Sequence, residues 1–506
     1  MSNLSILFSD ENQRKLMLQK KGNFLYRDVV NDLAISNILD EIKHTTPDFP
    51  DDFLLFSAFD SSTQIFRREI AKEIYGSPVI FEDLKRYAVD LYALQKQRQN
   101  TFELKNKDAK NHSFLCISLE YCRDLKRLVE ISEKAQSRGL RSLHDHAQEL
   151  FSKIENGVYK KTKELFERVD EMLHMSMKFD FLSQTVKIAE KETMPDLKKL
   201  SDLSKNILGI DLDFSFSAVN NVQLSPFEEM LLNVMKERYP GVFQDLELFY
   251  EENNSLDFYT LIDLRDEILF YTGYIEFVKK YEKSGFRFSF SQTSQKEICA
   301  RGIYDICLAI KLGRSDLVVT NDLEIQKGDI FVISGANQGG KTTFLRAFGQ
   351  CAFFASQGLP VPAESFTTPF WESITTHFNH PEQIGKSRLE DEIDRVKTIL
   401  SSTNDQCLVL FNECFAGTRH SDAVILSERM FEKLSVSGAT CGFVTHLFEL
   451  PMRNQSLISF VAECLQDGTE RRTFQIVKRS PKELANAHSI AVACGATYEQ
   501  LLSEIE

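Results

Sequence analysis

The sequence lacks the features of membrane and secreted proteins. No apolar run approaches the ~18 uninterrupted residues that a membrane-spanning helix needs, and the N-terminal Met-Ser-Asn-Leu-Ser has no basic stretch followed by an apolar segment. The ten cysteines include no Cys-x-x-Cys pair. We therefore expect reduced thiols in the core, and neither a zinc motif nor a disulfide framework. Together these absences predict a cytoplasmic protein with no membrane contact.

Acidic residues outnumber basic ones, and proline is scarce. The formal net charge of −14 excludes a chain coated in basic, nucleic-acid-binding charge, although a local basic surface remains compatible with it. No proline occurs between Pro78 and Pro195, and helical patterns fill that interval, including Ser132–Leu150 and Val158–Met177. These helices fit either a bundle packed on itself or projecting arms, and the sequence leaves both interpretations open.

The periodicity predicts two domains. Residues 1–285 are mostly helical in pattern, apart from Ile207–Leu224, where apolar and polar residues alternate as in a short strand or hairpin. From residue 286 to residue 506, strand-like runs alternate with helical ones, which predicts an α/β domain with a largely parallel sheet. The strand candidates are Tyr304–Leu312, Leu317–Thr320, Asp329–Ser334, Cys407–Phe411, Thr440–Thr445, Ser459–Glu463 and Thr473–Lys478.

A glycine-rich loop follows one of these strands. Gly335, Gly340, Lys341 and Thr342 fit the pattern G-x-x-x-x-G-K-[ST], in which backbone N–H groups curl around phosphate oxygens. The helix predicted next, to about Ser356, directs the positive end of its dipole at the same anion. An ordinary glycine turn is the alternative. The candidate nucleotide-binding residues are Gly335, Ala336, Asn337, Gln338, Gly339, Gly340, Lys341, Thr342 and Thr343.

Two further strands end in polar residues. Gln406-Cys-Leu-Val-Leu-Phe ends at Asn412 and Glu413, where nucleotide hydrolases place a magnesium-binding acid and a residue that orients water. Asn412 keeps an oxygen but lacks the charge, so Thr342 and Asn412 are the candidate metal ligands and Glu413 the candidate base. His446 ends another apolar strand as a second catalytic candidate, although a lone histidine is more often structural.

A serine precedes the predicted helix that begins near Arg388. Gly385-Lys-Ser387 would place a hydroxyl at the helix N-terminus, which is either an anion-binding site or an ordinary N-cap.

Taken together, these motifs resemble the ATPase domain of the MutS DNA mismatch-repair family, a branch of the ABC-type P-loop ATPases. Gly-Ala-Asn-Gln-Gly-Gly-Lys-Thr342 is similar to the family's Gly-Pro-Asn-Met-Gly-Gly-Lys-Ser loop, and Gly358-Leu-Pro-Val-Pro-Ala363 to its Gly-x-x-Val-Pro-Ala turn. Gly417-Thr418 and Thr445-His446 also match family motifs. The resemblance implies ATP and Mg²⁺ as ligands. It further implies a helical core and lever domain over 1–285 with a reduced clamp around 200–225, and a homodimer formed through a C-terminal helix after His488. Ser387 would complete the partner subunit's site.

The departures limit what the resemblance implies. The chain begins at the core domain, so we expect no N-terminal mismatch reader or connector. Asn412 replaces the usual Asp, and neither Leu317 nor Val318 supplies an aromatic ring for adenine. The leading hypothesis is an ATP-binding, slowly ATP-hydrolysing clamp that holds DNA in repair or recombination. The alternative is a nucleotide-gated protein-binding scaffold with weak or no ATPase activity and no DNA partner.

Overall fold

The structure is a computed structural model that describes residues 4–8, 24–55, 60–173, 177–180, 185–188, 226–335, 337–378, 388–447, 449–464 and 472–479. Four sequence predictions therefore lie outside the described residues. They are the clamp around 200–225, Ala336, the segment 385–387 with Ser387, and the C-terminal dimer helix.

Helices make up most of the described residues. They are α1 (Phe24–Asp32), α2 (Ile35–Thr45), α3 (Asp51–Leu55), α4 (Ser61–Gly76), α5 (Pro78–Glu103), α6 (Lys107–Ser132), α7 (Arg138–Ile154), α8 (Lys160–Leu173), α9 (Pro226–Arg238), α10 (Pro240–Asn253), α11 (Tyr259–Glu282), α12 (Ile306–Leu312), α13 (Lys341–Ser356), α14 (Arg388–Ser401), α15 (His420–Ser437) and α16 (Leu450–Arg453). One π-helical turn joins α7 to α8 at Glu155–Tyr159. Each described helix is too short or too polar to cross a bilayer.

The strands form three sheets. They are β1 (Met177–Asp180), β2 (Thr185–Ile188), β3 (Gln292–Thr293), β4 (Glu297–Ile303), β5 (Asn321–Gln326), β6 (Ile330–Gly335), β7 (Ser365–Thr368), β8 (Ser373–Phe378), β9 (Cys407–Asn412), β10 (Thr440–Val444), β11 (Ile458–Cys464) and β12 (Arg472–Lys478). The sheet orders are β1-β2, β3-β7-β4-β5 and β12-β11-β6-β10-β9-β8. In the six-stranded sheet only β12 runs antiparallel to its neighbour, which confirms the predicted largely parallel sheet.

One compact unit comprises residues 1–6 and 77–268. Three of its helices begin at side-chain caps that the sequence supplies, since Ser77, Asn106 and Ser137 accept hydrogen bonds from backbone N–H groups three residues on. The Ser137 cap ends the turn after α6, so the predicted helix over Ser132–Leu150 starts later, at Arg138. The helix α6 packs against α5, α7 and α10, which favours the bundle interpretation for these four helices.

The second compact unit comprises residues 7–76 and 269–506. Both larger sheets belong to it, and α13 packs against β4 of one sheet and against β6, β9 and β10 of the other. Nearly every residue of α13 after its first turn is buried. The other face of the six-stranded sheet packs on α14 and α15, through a core that includes Val332, Val409 and Phe431. The compact units do not follow the predicted division at 285 and 286, because the described residues within 7–76 and 269–285 belong to the unit that contains the sheets.

The helix α13 is held closely at its middle and at its C-terminal end. A Cβ added at Gly349 would lie 2.5 Å from the Leu33 side chain, so glycine allows a close approach there. Beyond the helix, the fully buried Arg67 of α4 donates to the side chain of Gln357 at 2.9 Å. Gln64 donates to the backbone oxygen of Ala355 at 2.7 Å. These bonds fix α4 to the C-terminal end of α13.

Two strand predictions were wrong. The apolar run predicted as a strand over Tyr304–Leu312 is the helix α12, because Asp305 caps it by accepting from the Cys307 N–H at 2.8 Å and Gly313 ends it in the left-handed conformation. Leu317–Thr320 is likewise not a strand, since a 3₁₀ turn ends at Leu317 and β5 starts only at Asn321.

Candidate functional site

Three neighbouring parallel strands end at one edge of the six-stranded sheet. Val444 of β10 pairs with Ile333 of β6 on one side and with Asn412 of β9 on the other. The segments that follow these strands therefore meet at the carboxyl edge, although they lie far apart in the sequence. Ligands of open α/β sheets bind at this edge.

The loop after β6 depends on glycine at its two ends. Gly335 has φ +123°, and a Cβ there would lie 3.0 to 3.1 Å from Ala462, including its backbone nitrogen and oxygen. Gly340 has φ +88°, a conformation that residues with a side chain rarely adopt. Between them Gln338 also has a positive φ of 59°. The glycines of the motif are thus required by conformation at both ends and by close packing at Gly335.

The loop ends at the N-terminus of α13. No side chain caps this helix, and its first turn closes with the Phe344 N–H donating to the Gly340 oxygen at 2.9 Å. An uncapped helix start presents backbone amides and a positive dipole end to an anion. Lys341 is only 5% exposed, and its Nζ donates to the Gly335 oxygen at 2.9 Å, across the loop. A fixed positive charge and a row of amides therefore face the same small space.

A hydroxyl and an amide oxygen lie together beside this loop. Thr342 Oγ1 donates to Asn412 Oδ1 at 2.9 Å, and Asn412 is buried. Both groups offer neutral oxygens, which are ligands that Mg²⁺ accepts, but no carboxylate adds negative charge in this pair. The residues fit a magnesium ion shared with phosphate oxygens better than a site made by the protein alone.

The pair Glu413 and His446 lies at the ends of β9 and β10. His446 Nε2 is 2.9 Å from Glu413 Oε1, and the Glu413 N–H donates to the Val444 oxygen at 2.9 Å. Glu413 has φ +56°, so its backbone is held in a conformation that is unusual for a residue with a side chain. The Glu413 side chain is 36% exposed and the His446 side chain 42%, so both are accessible to water.

A cavity of about 500 Å³ extends from the loop. One end is polar and is lined by loop residues 337–343 and Glu413, whereas the other is lined by apolar side chains, among them Leu308, Leu312 and Val319. Tyr304 also lines it, and burial raises the pKa of this phenol far above its ordinary value, so the hydroxyl stays neutral and donates to the Arg287 oxygen. The cavity suits a ligand with an anionic end and a flat apolar end.

Phe474 is a pocket residue that sequence reasoning missed. Its ring is 47% exposed and lies beside Gly340, at the border of the cavity. Phe474 has φ +58°, and Asn321 stabilises this backbone by donating to the Phe474 oxygen at 3.1 Å and accepting from the Ile476 N–H at 2.7 Å. The sequence shows only an aromatic residue within a strand, and nothing in it indicates that β12 meets the loop. The same strand supplies Arg472, which donates to Gln338 Oε1 at 2.6 Å.

Most of the predicted site residues come together at this edge. The cavity is lined by Asn337, Gln338, Gly339, Gly340, Lys341, Thr342, Thr343 and Glu413. Hydrogen bonds join Gly335 to Lys341, Asn412 to Thr342 and His446 to Glu413. Ala336 and Ser387 lie outside the described residues. Leu317 lines the cavity without supplying an aromatic ring, and the exposed ring of Phe474 lies at the cavity's border.

Comparison with known proteins points to one family. Residues 331–500 match the family model for MutS domain V. The DNA mismatch repair protein MutS of Staphylococcus saprophyticus is 28% identical over 269 residues, which cover 50% of this chain and 30% of the relative. MutS of Thermus aquaticus is 35% identical over 151 residues, or 28% of this chain and 18% of the relative. The mitochondrial DNA mismatch repair protein MSH1 of Arabidopsis thaliana is 32% identical over 149 residues, or 28% of this chain and 13% of the relative.

These matches span at most 30% of the relatives' own length. The family model falls on the segment that contains the glycine loop and nearly all of the six-stranded sheet. The family match and the motif residues agree on the same segment. The segment 331–500 therefore belongs to the MutS family, as a MutS domain V.

Proposed function

We propose that this protein binds ATP with Mg²⁺ at the carboxyl edge of the six-stranded sheet and uses the nucleotide to control a clamp on DNA during repair or recombination. One observation carries the proposal. A glycine loop with a buried lysine, an uncapped helix start and the Glu413–His446 pair converge on one cavity whose far end is apolar. ATP has two chemically different ends, an anionic triphosphate and a flat apolar base, and such a cavity can accommodate both.

Each part of the site has a proposed role. The loop amides and the dipole of α13 bind the phosphates. Lys341 exchanges its bond to the Gly335 oxygen for a phosphate oxygen. The base packs among the apolar residues and against the Phe474 ring. Thr342 and Asn412 are the residues that would hold Mg²⁺, which supplies neutralisation of phosphate charge when bound.

The proposed reaction is slow ATP hydrolysis. Glu413 accepts a hydrogen bond from a water molecule and orients the oxygen of that water towards the terminal phosphate. His446 holds the Glu413 carboxylate in place and contacts the same phosphate. Both side chains are partly exposed, so water reaches them. Slow turnover follows from Asn412, because its amide attracts a cation less strongly than the carboxylate usual in the family would.

The homodimer and the DNA partner rest on the family rather than on geometry. The relatives are named as DNA mismatch repair proteins. In a homodimer Ser387 would approach the partner subunit's nucleotide, so that ATP favours closure by contacting both subunits. The eight described cysteines form no disulfide with one another, which supports a reducing compartment such as the cytoplasm.

The nucleotide site is tested by Lys341→Ala in an equilibrium ATP-binding measurement. We expect at least a tenfold loss of affinity, or about 1.4 kcal/mol, since the variant removes the charge that faces the phosphates. Lys397→Ala is the matched control, because that lysine lies on the exposed surface of α14. Unchanged ATP affinity in Lys341→Ala would remove the basis for the site.

A second candidate function is a nucleotide-gated scaffold that binds proteins and no DNA. The net charge of −14 favours it. Binding to linear, mismatched and four-way-junction DNA, with and without ATP, separates the two functions. Phosphate contacts are strongest at low ionic strength, so the absence of binding at ~50 mM salt would favour the scaffold. Binding that weakens steeply with salt and responds to ATP would favour the clamp.

A further inference from the structure

A second cluster of polar side chains lies buried in the unit that contains the sheets. His377 belongs to β8, Glu392 to α14, and Cys414 follows β9. One potential ligand atom from each lies within 4.8 Å of the other two, and His377 Nε2 is 3.5 Å from Glu392 Oε1. None of the three lines the cavity beside the glycine loop. The cluster is therefore separate from the proposed nucleotide site.

His377 is the unusual member of this cluster. Its residue is only 6% exposed, and neither ring nitrogen has a hydrogen-bond partner. Every protonation state of an imidazole carries at least one N–H donor, and the neutral ring also carries an acceptor. Nε2 has only the 3.5 Å contact with Glu392 Oε1. Burying both nitrogens without hydrogen bonds costs free energy, and buried polar groups in proteins are rarely left so. A ligand atom between His377 and its neighbours would satisfy one nitrogen.

The charges around the cluster favour a cation. Asp28 interacts electrostatically with Asp32 and His377, and its carboxylate pairs with Arg395 at 2.6 Å. Asp32 accepts a hydrogen bond from the Phe378 N–H at 3.0 Å. Glu392, Asp28 and Asp32 thus bring carboxyl groups near the histidine, with the Arg395 guanidinium beside Asp28. Carboxyl groups near a site favour the binding of a cation there.

We infer that His377, Glu392 and Cys414 form a binding site for a divalent transition-metal ion of the zinc type. Nitrogen, sulfur and carboxylate oxygen together are ligands for zinc, whereas magnesium and calcium take oxygen ligands alone. Zinc bonds of about 2.0–2.3 Å place tetrahedral ligands about 3.5 Å apart. His377 Nε2 and Glu392 Oε1 already have this spacing, and the widest separation in the cluster would shorten by up to about 1.3 Å. On binding, the Cys414 thiol loses its proton to solvent and a sulfur–metal bond replaces the S–H bond. A water completes the four ligands.

The ion would join three elements that converge beside the nucleotide site. Glu392 Oε1 already accepts from the Phe415 N–H at 2.9 Å, which ties α14 to the turn after β9. Cys414 adjoins Glu413 in that turn. A metal bound here would fix the turn against the end of β8 and the start of α14, so it would act as a structural ion that positions the Glu413 backbone.

The test is a Co²⁺ titration of the full chain, free of affinity tag, chelator and nucleotide. We expect one Co²⁺ per chain, with thiolate-to-cobalt charge-transfer absorption and visible bands typical of tetrahedral cobalt. Zn²⁺ should displace it and raise the thermal unfolding midpoint. Cys414→Ser should lose the charge-transfer absorption and weaken binding at least tenfold, and His377→Gln should weaken it similarly. Cys407→Ser, in the same core, is the matched control. This variant should bind Co²⁺ with the same affinity and the same absorption as the unsubstituted chain.

Either of two results would overturn the inference. The first is the absence of stoichiometric binding of Co²⁺ and Zn²⁺ at micromolar concentration, which would leave the cluster as a buried His–Glu pair. The second is an unchanged titration in both Cys414→Ser and His377→Gln. If one of these two variants does not fold, the other is compared with the unsubstituted chain. The number of Co²⁺ ions bound per chain is measured on the unsubstituted chain alone.

Discussion

The Thr342 hydroxyl donates to the Asn412 amide oxygen at 2.9 Å, at the place where the proposed magnesium ion would bind. Asn412→Asp places a carboxylate there and should raise both the affinity for Mg²⁺–ATP and the turnover, because charge strengthens the attraction to the cation. The rate of phosphate release over a range of Mg²⁺ concentrations measures both effects.

Without Mg²⁺ the Asn412→Asp variant should unfold at lower temperature than the unsubstituted chain, since position 412 is buried. Asn454→Asp, on the turn after α16, is the control, and equal or slower turnover in Asn412→Asp would show that this position does not limit the reaction.

Gly335→Ala should destabilise the protein and weaken nucleotide binding. Alanine at φ +123° is strained, and its Cβ would lie 3.0 to 3.1 Å from Ala462. We expect a loss of about 2–3 kcal/mol in the free energy of unfolding. Gly313→Ala is the matched control, because it has a positive φ of 66° but nothing within 4 Å of the added Cβ, and it should cost about 1 kcal/mol. Denaturant unfolding compares them, and equal losses would exclude the close approach as a cause.

Glu413→Gln should lower the rate of ATP hydrolysis by about 10²-fold or more while nucleotide binding is retained, because the amide does not accept a proton from water. Burst and steady-state phosphate release, beside equilibrium nucleotide binding, separate the two effects. The chain offers a matched pair outside the cavity, in which His420 Nε2 lies 2.5 Å from Glu449 Oε1. Glu449→Gln should leave the rate unchanged. If Glu413→Gln also leaves it unchanged, another residue orients the water.

Asp124→Asn should stabilise the protein in a pH-dependent way. Burial, with added repulsion from Asp90 and Glu120, raises the pKa of Asp124 from 3.8 to about 7, while Arg127 opposes the shift. The folded state therefore favours the protonated carboxyl, and the stability that this provides is full below about pH 4 and is lost as the pH rises through about 7.

The gain from Asp124→Asn should thus be near zero at about pH 4 and on the order of 2–4 kcal/mol at about pH 8. Denaturant unfolding of the variant and the unsubstituted chain at each pH gives the difference, in which the contributions of groups that do not interact with Asp124 cancel. Asp145→Asn, at an exposed position, is the control for the substitution itself. A gain that does not depend on pH would contradict the raised pKa.

The strands β6, β9, β10, β11 and β12 could be predicted because each is a short apolar run that leads into polar residues. Tyr304–Leu312 is equally apolar, but there the Asp305 cap and the left-handed Gly313 favour a helix, and that local signal was visible in the sequence. The strands β4, β5, β7 and β8 carry too many polar or small residues to stand out.

The glycine loop and the polar strand ends could be predicted from local pattern, and their convergence from the behaviour of parallel strands. Neither the approach of Phe474 to Gly340 nor the grouping of His377 with Glu392 and Cys414 could be. Both depend on how separate elements pack, which no short stretch of sequence encodes.

The burial of α13 has a mechanical consequence. The helix has 16 residues and is about 24 Å long, with the glycine loop at one end and the bonds to Gln64 and Arg67 of α4 at the other. Because Leu33 packs closely against Gly349, bending of α13 at its middle would require that side chain to move. A shift of the loop on binding of the proposed nucleotide would therefore be transmitted along the helix to α4, and α4 is the helix in which to measure movement.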